Sequence, residues 1–161
     1  MESRYTQLEA LNCAIKDSIA VKEALLANKD LLEQVIAVID LFRNAFENGN
    51  KVIFAGNGGS AADAQHLAAE FVSRFEFDRP GLPALSLSTD TSMITAIGND
   101  YGYVKLFQRQ LQAQAKPGDI FVGITTSGKS KNIIAAFDVC PELGVKGPQP
   151  PAGKTEGRCP D

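Results

Sequence analysis

The chain has 161 residues, enough for one domain, and its 44% hydrophobic and 22% charged residues are usual for a globular protein. The sequence has no run of about 18 apolar residues that could span a bilayer, and its 16 basic and 19 acidic residues give a net charge of −3 without long blocks of one sign. We therefore expect neither a membrane span nor a basic surface that binds nucleic acid. The N-terminus has no apolar signal segment, and the three cysteines (Cys13, Cys140, Cys159) are odd in number, so we expect reduced thiols in the cytoplasm.

Two helices are predicted ahead of any strand. Apolar residues recur at helical spacing over residues 6–28, from Leu8 to Leu26, and again over residues 31–46, before a natural C-cap at Gly49. Because two helices this apolar would not be stable alone, we expect them to pack on the domain or on another copy of the chain. A dimer or a tetramer is the expected assembly.

Strands and helices alternate after residue 50. Short apolar runs near residues 51–55, 83–87 and 120–125 predict strands of a parallel sheet that is covered on both faces. Helices are predicted over residues 61–74, 91–97, 103–115 and 131–143, with a turn at residues 98–102. This order predicts an α/β fold over residues 1–146, and the Pro- and Gly-rich residues 147–161 are predicted to form a disordered tail.

A glycine-rich segment, residues 56–60, joins the first predicted strand to a helix; we call it the first loop. Glycines allow a ligand to approach the backbone closely, and the free N–H groups of a helix start favour an anion such as phosphate. A tight strand-to-helix connection would explain the same glycines. The spacing matches neither a dinucleotide fingerprint nor a Walker loop.

A second loop, residues 125–130, contains four hydroxyl groups and one glycine, again between a strand and a helix. The hydroxyls could bind phosphate oxygens, although helix capping would account for Ser127 or Ser130 taken singly. If the strand order is 2-1-3, both loops flank the point where open α/β sheets bind ligands. The two loops together favour a phosphorylated small molecule.

His66 and Glu70 are spaced i, i+4 on the helix that follows the first loop, which places both on one helix face. An imidazole and a carboxylate can bind zinc or transfer protons, and a solvated helix contact is the alternative interpretation.

These segments together resemble the sugar isomerase (SIS) domain family and, within it, the phosphoheptose isomerases, which act on sedoheptulose 7-phosphate. The resemblance covers about residues 8–146 and rests on residues 56–66, Glu70, residues 98–102 and residues 126–130. It implies a flavodoxin-like sheet with helices on both faces, N-terminal helices used in a homotetramer, and a cytoplasmic enzyme that supplies heptose for lipopolysaccharide.

The resemblance also implies roles for single residues. Glu70 would be the base that moves a proton between C1 and C2 of the sugar through an enediol(ate), giving glycero-manno-heptose 7-phosphate. The family often binds zinc, and His66 and Glu70 stand at two of its four ligand positions. The substrate-binding residues would be Asn57, Gly58, Gly59, Glu70, Asn99, Asp100, Thr125, Thr126, Ser127 and Ser130.

The sequence departs from the family after residue 146. Family members continue with two more strands and a long helix that carries a Gln and a His, the remaining metal ligands. The SIS domain is therefore expected to be truncated here, and whether the chain as written is active is left open. Two other functions stay open: a tetrameric SIS protein that binds the replication initiator without catalysis, and a sugar-phosphate sensor. The carboxylate at Glu70 favours the enzyme, because the regulators lack it.

Overall fold

The computed structural model describes residues 4–148. The helices are α1 (Arg4–Ala27), α2 (Lys29–Glu47), α3 (Gly59–Val72), α4 (Thr91–Tyr101), α5 (Leu106–Gln114) and α6 (Lys131–Val139). The strands are β1 (Val52–Gly56), β2 (Ala84–Ser86) and β3 (Ile120–Ile124). The predicted tail lies outside the described residues from position 149 onward.

The chain divides into two compact units, Met1–Asp40 and Leu41–Asp161, with the boundary inside α2. The first unit contains α1, on which Leu8, Leu11, Ile15 and Ile19 are between 49% and 57% exposed. The domain bounds predicted from the sequence, 1–146 and 147–161, stay a prediction.

The second unit contains a parallel three-stranded sheet in the order β2-β1-β3. Val52 of β1 is in register with Ala84 of β2 and with Ile120 of β3. The predicted strands, their parallel direction and the 2-1-3 order are therefore confirmed. All three strands end at the same edge of the sheet, the carboxyl edge.

Alternate residues of β1 enter two different cores, which makes the second unit three layers thick. Ile53 and Ala55 pack with residues of α5 and α6 on one face of the sheet. Val52 and Phe54 pack on the other face with residues of α3 and the end of α2. This burial on both faces explains why β1 is a continuous apolar run.

The end of α2 shows the C-cap that the sequence predicts. Gly49 has φ +73°, its N–H bonds to the carbonyl of Phe46 at 3.0 Å, and the N–H of Asn50 bonds to the carbonyl of Ala45 at 2.9 Å. These two bonds form a Schellman motif.

The turn predicted over residues 98–102 is wrong, because α4 continues through Gly98, Asn99 and Asp100 to Tyr101. Asp90 caps its start by accepting a hydrogen bond from the N–H of Met93 at 2.8 Å. Asn99 and Asp100 are exposed in the last turn, where residues of low helix propensity cost little. The chain leaves the helix at Gly102, where φ is +81°, and a short 3₁₀ turn, Tyr103–Lys105, leads into α5.

Candidate functional site at the carboxyl edge of the sheet

The first loop makes a turn that only glycine permits at its start. A Cβ on Gly56 would lie 2.2 Å from the carbonyl oxygen of Ser60, which is part of the backbone. Gly58 follows with φ +57° in the N-cap position of α3, and no side chain caps this helix. The N–H groups of Ser60 and Ala61 bond to the carbonyls of Asn57 and Gly58 at 3.0 and 3.1 Å. Among the described residues the N–H of Gly59 has no such partner and is left for a ligand or for solvent.

Hydroxyl groups of the second loop form hydrogen bonds within the loop. The hydroxyls of Thr125 and Ser130 bond to each other at 3.0 Å, and Ser127 Oγ accepts from the N–H of Lys129 at 3.1 Å. Ser130 stands in the N-cap position of α6, yet its side chain makes no capping bond. Helix capping, the alternative interpretation of Ser130, therefore does not account for its hydroxyl group.

Side chains on either side join the two loops. Asn57 Nδ2 donates to Asn132 Oδ1 at 2.9 Å, and Asn132 Nδ2 donates to Asn57 Oδ1 at 2.8 Å. Asn132 lies in the first turn of α6, directly after the second loop. The prediction that both loops converge at one edge of the sheet is confirmed, and the role of each loop residue in binding stays a prediction.

Three residues at this edge were not predicted from the sequence: Ser88, Tyr103 and Asn132. Ser88 follows β2, where it accepts from the N–H of Gly56 at 3.2 Å and donates to its carbonyl at 2.9 Å. The Tyr103 hydroxyl donates to Asn57 Oδ1 at 2.8 Å, and Asn132 forms the amide pair with Asn57. Ser88 could have been found from its place after a strand, because the carboxyl ends of parallel strands meet. Tyr103 and Asn132 contact Asn57 from 46 and 75 residues away, and no local pattern indicates such contacts.

His66 and Glu70 form a pair on the exposed face of α3. His66 Nε2 lies 3.6 Å from Glu70 Oε1, and the side chains are 74% and 31% exposed. Arg79 donates to the carbonyl oxygens of Glu70 and Phe71, both at 2.9 Å, and so holds the end of α3 beside this pair. The predicted i, i+4 neighbourhood of the two side chains is confirmed.

The structure does not bring Asn99 and Asp100 into hydrogen-bond contact with either loop among the described residues. Asn99 Nδ2 donates to Asp100 Oδ1 at 2.8 Å, and both residues are exposed at the end of α4. Their part of the chain nevertheless leads directly to Tyr103, which does contact the first loop.

A zinc ion usually takes four protein ligands in a structural site and three in a catalytic site. His66 and Glu70 offer two, and residues 4–148 contain no group of three His, Cys, Asp or Glu side chains that could hold a metal. The described residues do not by themselves make a complete zinc site.

Within the same range, no helix has both the length and the apolar character needed to cross a membrane.

Comparison with known proteins decides the family. The profile of the SIS domain matches residues 16–146. Phosphoheptose isomerase 2 of Campylobacter jejuni is 56% identical over 143 residues, which cover 86% of this chain and 71% of that protein. The chain belongs to the phosphoheptose isomerase family of SIS domain proteins.

A second relative from this family, the phosphoheptose isomerase of Aneurinibacillus thermoaerophilus, is 61% identical over 131 residues. That match covers 81% of this chain, which spans 66% of the relative's length.

Solved structures of the family share the fold. The phosphoheptose isomerase from Francisella tularensis superposes with a TM-score of 0.82 at 37% identity and covers 88% of this chain and 73% of that one. The enzyme from Neisseria gonorrhoeae superposes with a TM-score of 0.78 at 40% identity, covering 88% and 72%. The flavodoxin-like SIS fold expected from the resemblance is confirmed.

Proposed function

We propose that this chain carries the sugar-phosphate site of an aldose-ketose isomerase that converts sedoheptulose 7-phosphate to glycero-manno-heptose 7-phosphate. The observation that carries the proposal is the meeting of the two loops at the carboxyl edge, joined by the Asn57–Asn132 amide pair. The names of the relatives supply the substrate class.

The two loops divide the binding of one ligand between them. Thr125, Thr126, Ser127 and Ser130 bind the phosphate through their hydroxyl groups, and Thr126 and Ser127 are exposed. The first loop receives the sugar against Asn57, Gly58 and Gly59, where no side chain caps the start of α3. Asn99 and Asp100, at the end of α4, line the same sugar.

Glu70 is the base in this proposal. Its carboxylate removes a proton from C1 of the open-chain ketose, which gives an enediol(ate). A proton is then delivered to C2, and the hydroxyl proton of O1 is transferred to O2, which gives the aldose. The carboxylate is on the helix that starts at the first loop, and His66 Nε2 lies 3.6 Å from it, which is longer than a hydrogen bond, so His66 is given no proton-transfer role here. Since the described residues do not complete a zinc site, no step here depends on a metal, and zinc stays a prediction from the resemblance.

The test of this function is Glu70→Gln, which keeps the shape of the side chain and removes its basicity. Turnover is followed by NMR in D₂O, where proton abstraction replaces hydrogen by deuterium at C1 of sedoheptulose 7-phosphate. We expect kcat to fall by at least about 100-fold, the lower end for loss of a general base, while the substrate Kd stays within a few-fold. Glu142→Gln, the same change at an exposed position outside the carboxyl edge, is the matched control.

The assay uses the 161-residue chain and a version in which residues 1–146 are followed by the C-terminal part of the Aneurinibacillus relative. Wild-type turnover by Glu70→Gln would place the base elsewhere. Binding without deuterium incorporation in either version would favour the sugar-phosphate sensor, and absence of binding in both would overturn the site. Binding of the replication initiator in place of the sugar would favour the regulator.

The assembly proposed from the resemblance is a homotetramer. The half-exposed apolar residues of α1, among them Leu8 and Ile15, would be covered by other copies of the chain. Sedimentation velocity at micromolar concentration should give a mass of two or four chains, and a monomer would contradict this assembly. The cytoplasmic location and the lipopolysaccharide pathway stay predictions from the resemblance.

A further inference from the structure

The amide of Asn57 is the centre of a small hydrogen-bonded group at the carboxyl edge. Its Oδ1 accepts from Asn132 Nδ2 and from the Tyr103 hydroxyl, both at 2.8 Å, and its Nδ2 donates to Asn132 Oδ1 at 2.9 Å. Asn132 is 3% exposed and Tyr103 58% exposed, so the group runs from the buried start of α6 to the surface.

One donor of the Asn57 amide is left without a partner in this group. The oxygen of an Asn amide has two lone pairs, and both partners of Asn57 Oδ1 occupy them. The nitrogen has two N–H groups, of which one is donated to Asn132, and the other has no acceptor among residues 4–148. Asn57 therefore has one donor free for a ligand and no free acceptor.

The amide pair alone does not fix this arrangement. If both amides were rotated by 180°, Asn57 and Asn132 would form the same two bonds with oxygen and nitrogen exchanged. Tyr103 distinguishes the two states, because a phenol hydroxyl donates well, whereas its oxygen accepts poorly since a lone pair is delocalised into the ring. With Tyr103 present, the state with Asn57 Oδ1 facing the hydroxyl is the more stable one.

We propose that Tyr103 and Asn132 are positioning residues that hold the Asn57 amide in one orientation, so that its free N–H donates to an oxygen of the sugar. This inference rests on the proposed function, because it assigns a partner to Asn57 in the same site. The group recognised at this point is an acceptor, a hydroxyl or carbonyl oxygen of the sugar chain, since the phosphate is assigned to the second loop.

Tyr103→Phe tests the proposal by removing the hydroxyl from an exposed ring. Tyr101→Phe is the matched control: Tyr101 is 54% exposed, two residues away, and its hydroxyl accepts from Arg109 at 3.4 Å instead of contacting a loop. Calorimetry measures the Kd of sedoheptulose 7-phosphate and of inorganic phosphate for the wild-type chain and for both variants.

We expect Tyr103→Phe to weaken sugar-phosphate binding by about two- to tenfold, the range for loss of one neutral hydrogen bond and of a single amide orientation. Inorganic phosphate should bind unchanged, because the second loop is intact. Unchanged binding of the sugar phosphate, or equal weakening by Tyr101→Phe, would overturn the positioning role.

Side-chain amide NMR of the ligand-free chain gives a readout that a merely structural role would not move. In Tyr103→Phe the Asn57 Nδ2 signals should shift or broaden as the two orientations interchange, whereas Tyr101→Phe should leave them in place. Unchanged Asn57 signals in Tyr103→Phe would overturn the inference even if the sugar phosphate binds.

Asn132→Leu, whose side chain branches at the same carbon, removes both bonds to Asn57 and should weaken sugar-phosphate binding more than Tyr103→Phe does. Its melting curve is recorded first to show that it folds, and unchanged affinity in the folded variant would contradict the role of Asn132. If wild-type chain bound neither sugar phosphate nor phosphate, the proposed function would fail separately from the NMR result.

Discussion

The two ends of strands β1 and β3 are built from opposite kinds of chemistry. At the amino end, Asp119 is buried, and its carboxylate accepts from the backbone N–H groups of Lys51 and Lys116, from Lys51 Nζ and from Asn50 Nδ2. The carboxyl end has glycine turns, exposed hydroxyls and an amide with a spare N–H. The Asp119 carboxylate has its partners within the chain, which stabilises the fold, whereas the carboxyl end keeps donors that a ligand can use.

Asp119→Asn should give the largest loss of stability. The change removes the charge that pairs with Lys51 and places an NH₂ group against donors that need an acceptor. We expect the free energy of unfolding to fall by about 2–4 kcal/mol, below the cost for a fully buried pair because Lys51 is partly exposed. Urea unfolding measures this loss.

Asp138→Asn, the same charge change on the exposed side of α6, is the control and should change stability by less than about 0.5 kcal/mol. A loss in Asp119→Asn no larger than that of the control would contradict the structural role of the amino end.

Two glycines of the first loop separate fold from function. In Gly56→Ala the new Cβ would lie 2.2 Å from the Ser60 carbonyl oxygen, so we expect a loss of about 1–3 kcal/mol in unfolding free energy. In Gly59→Ala no atom lies within 4 Å of the new Cβ, so stability should be unchanged or rise by up to about 1 kcal/mol.

Gly59→Ala should weaken ligand binding even though it leaves stability unchanged or raised. Gly59→Ala places a methyl group where the sugar phosphate approaches the backbone, so its Kd should rise although the fold is intact. Calorimetry beside urea unfolding measures both effects. A Gly59→Ala variant that binds as wild type would show that the start of α3 does not contact the ligand.

The pH dependence of stability gives a smaller effect at the amino end. Burial alone would raise the pKa of Asp119, but the hydrogen bonds from Lys51, Lys116 and Asn50 outweigh it, and the pKa lies below the ordinary value. A carboxyl whose pKa is lowered on folding stabilises the native state above its unfolded pKa, and this contribution is lost as the pH falls through the folded pKa.

The difference in stability between wild type and Asp119→Asn should therefore be constant above about pH 5 and should narrow below about pH 4. Urea unfolding from pH 7 to pH 3 measures it. A difference that stays constant down to pH 3 would show that the Asp119 carboxylate is not the group that titrates.

The sequence predicts those parts of the carboxyl edge that depend on local pattern. Buried apolar runs predict the strands, and a glycine or hydroxyl cluster directly after a strand predicts each loop. The order 2-1-3 then places both loops together. His66 and Glu70 could be paired from helical spacing alone.

Contacts between distant residues could not be predicted in this way. The donors Asn50 and Lys51 precede Asp119 by 69 and 68 residues, and no local pattern indicates these contacts. The predicted turn over residues 98–102 is wrong for a different reason, because α4 continues in an exposed last turn, where residues of low helix propensity cost little.

The most direct test of the central claim is a backbone ¹H–¹⁵N NMR titration of the chain with sedoheptulose 7-phosphate. If one ligand binds across the carboxyl edge, signals of residues 56–60 and 125–130 should move together with one Kd, while Lys51, Lys116 and Asp119 at the amino end stay in place. Movement of one loop alone, or of the two loops with different affinities, would contradict a single site built from both.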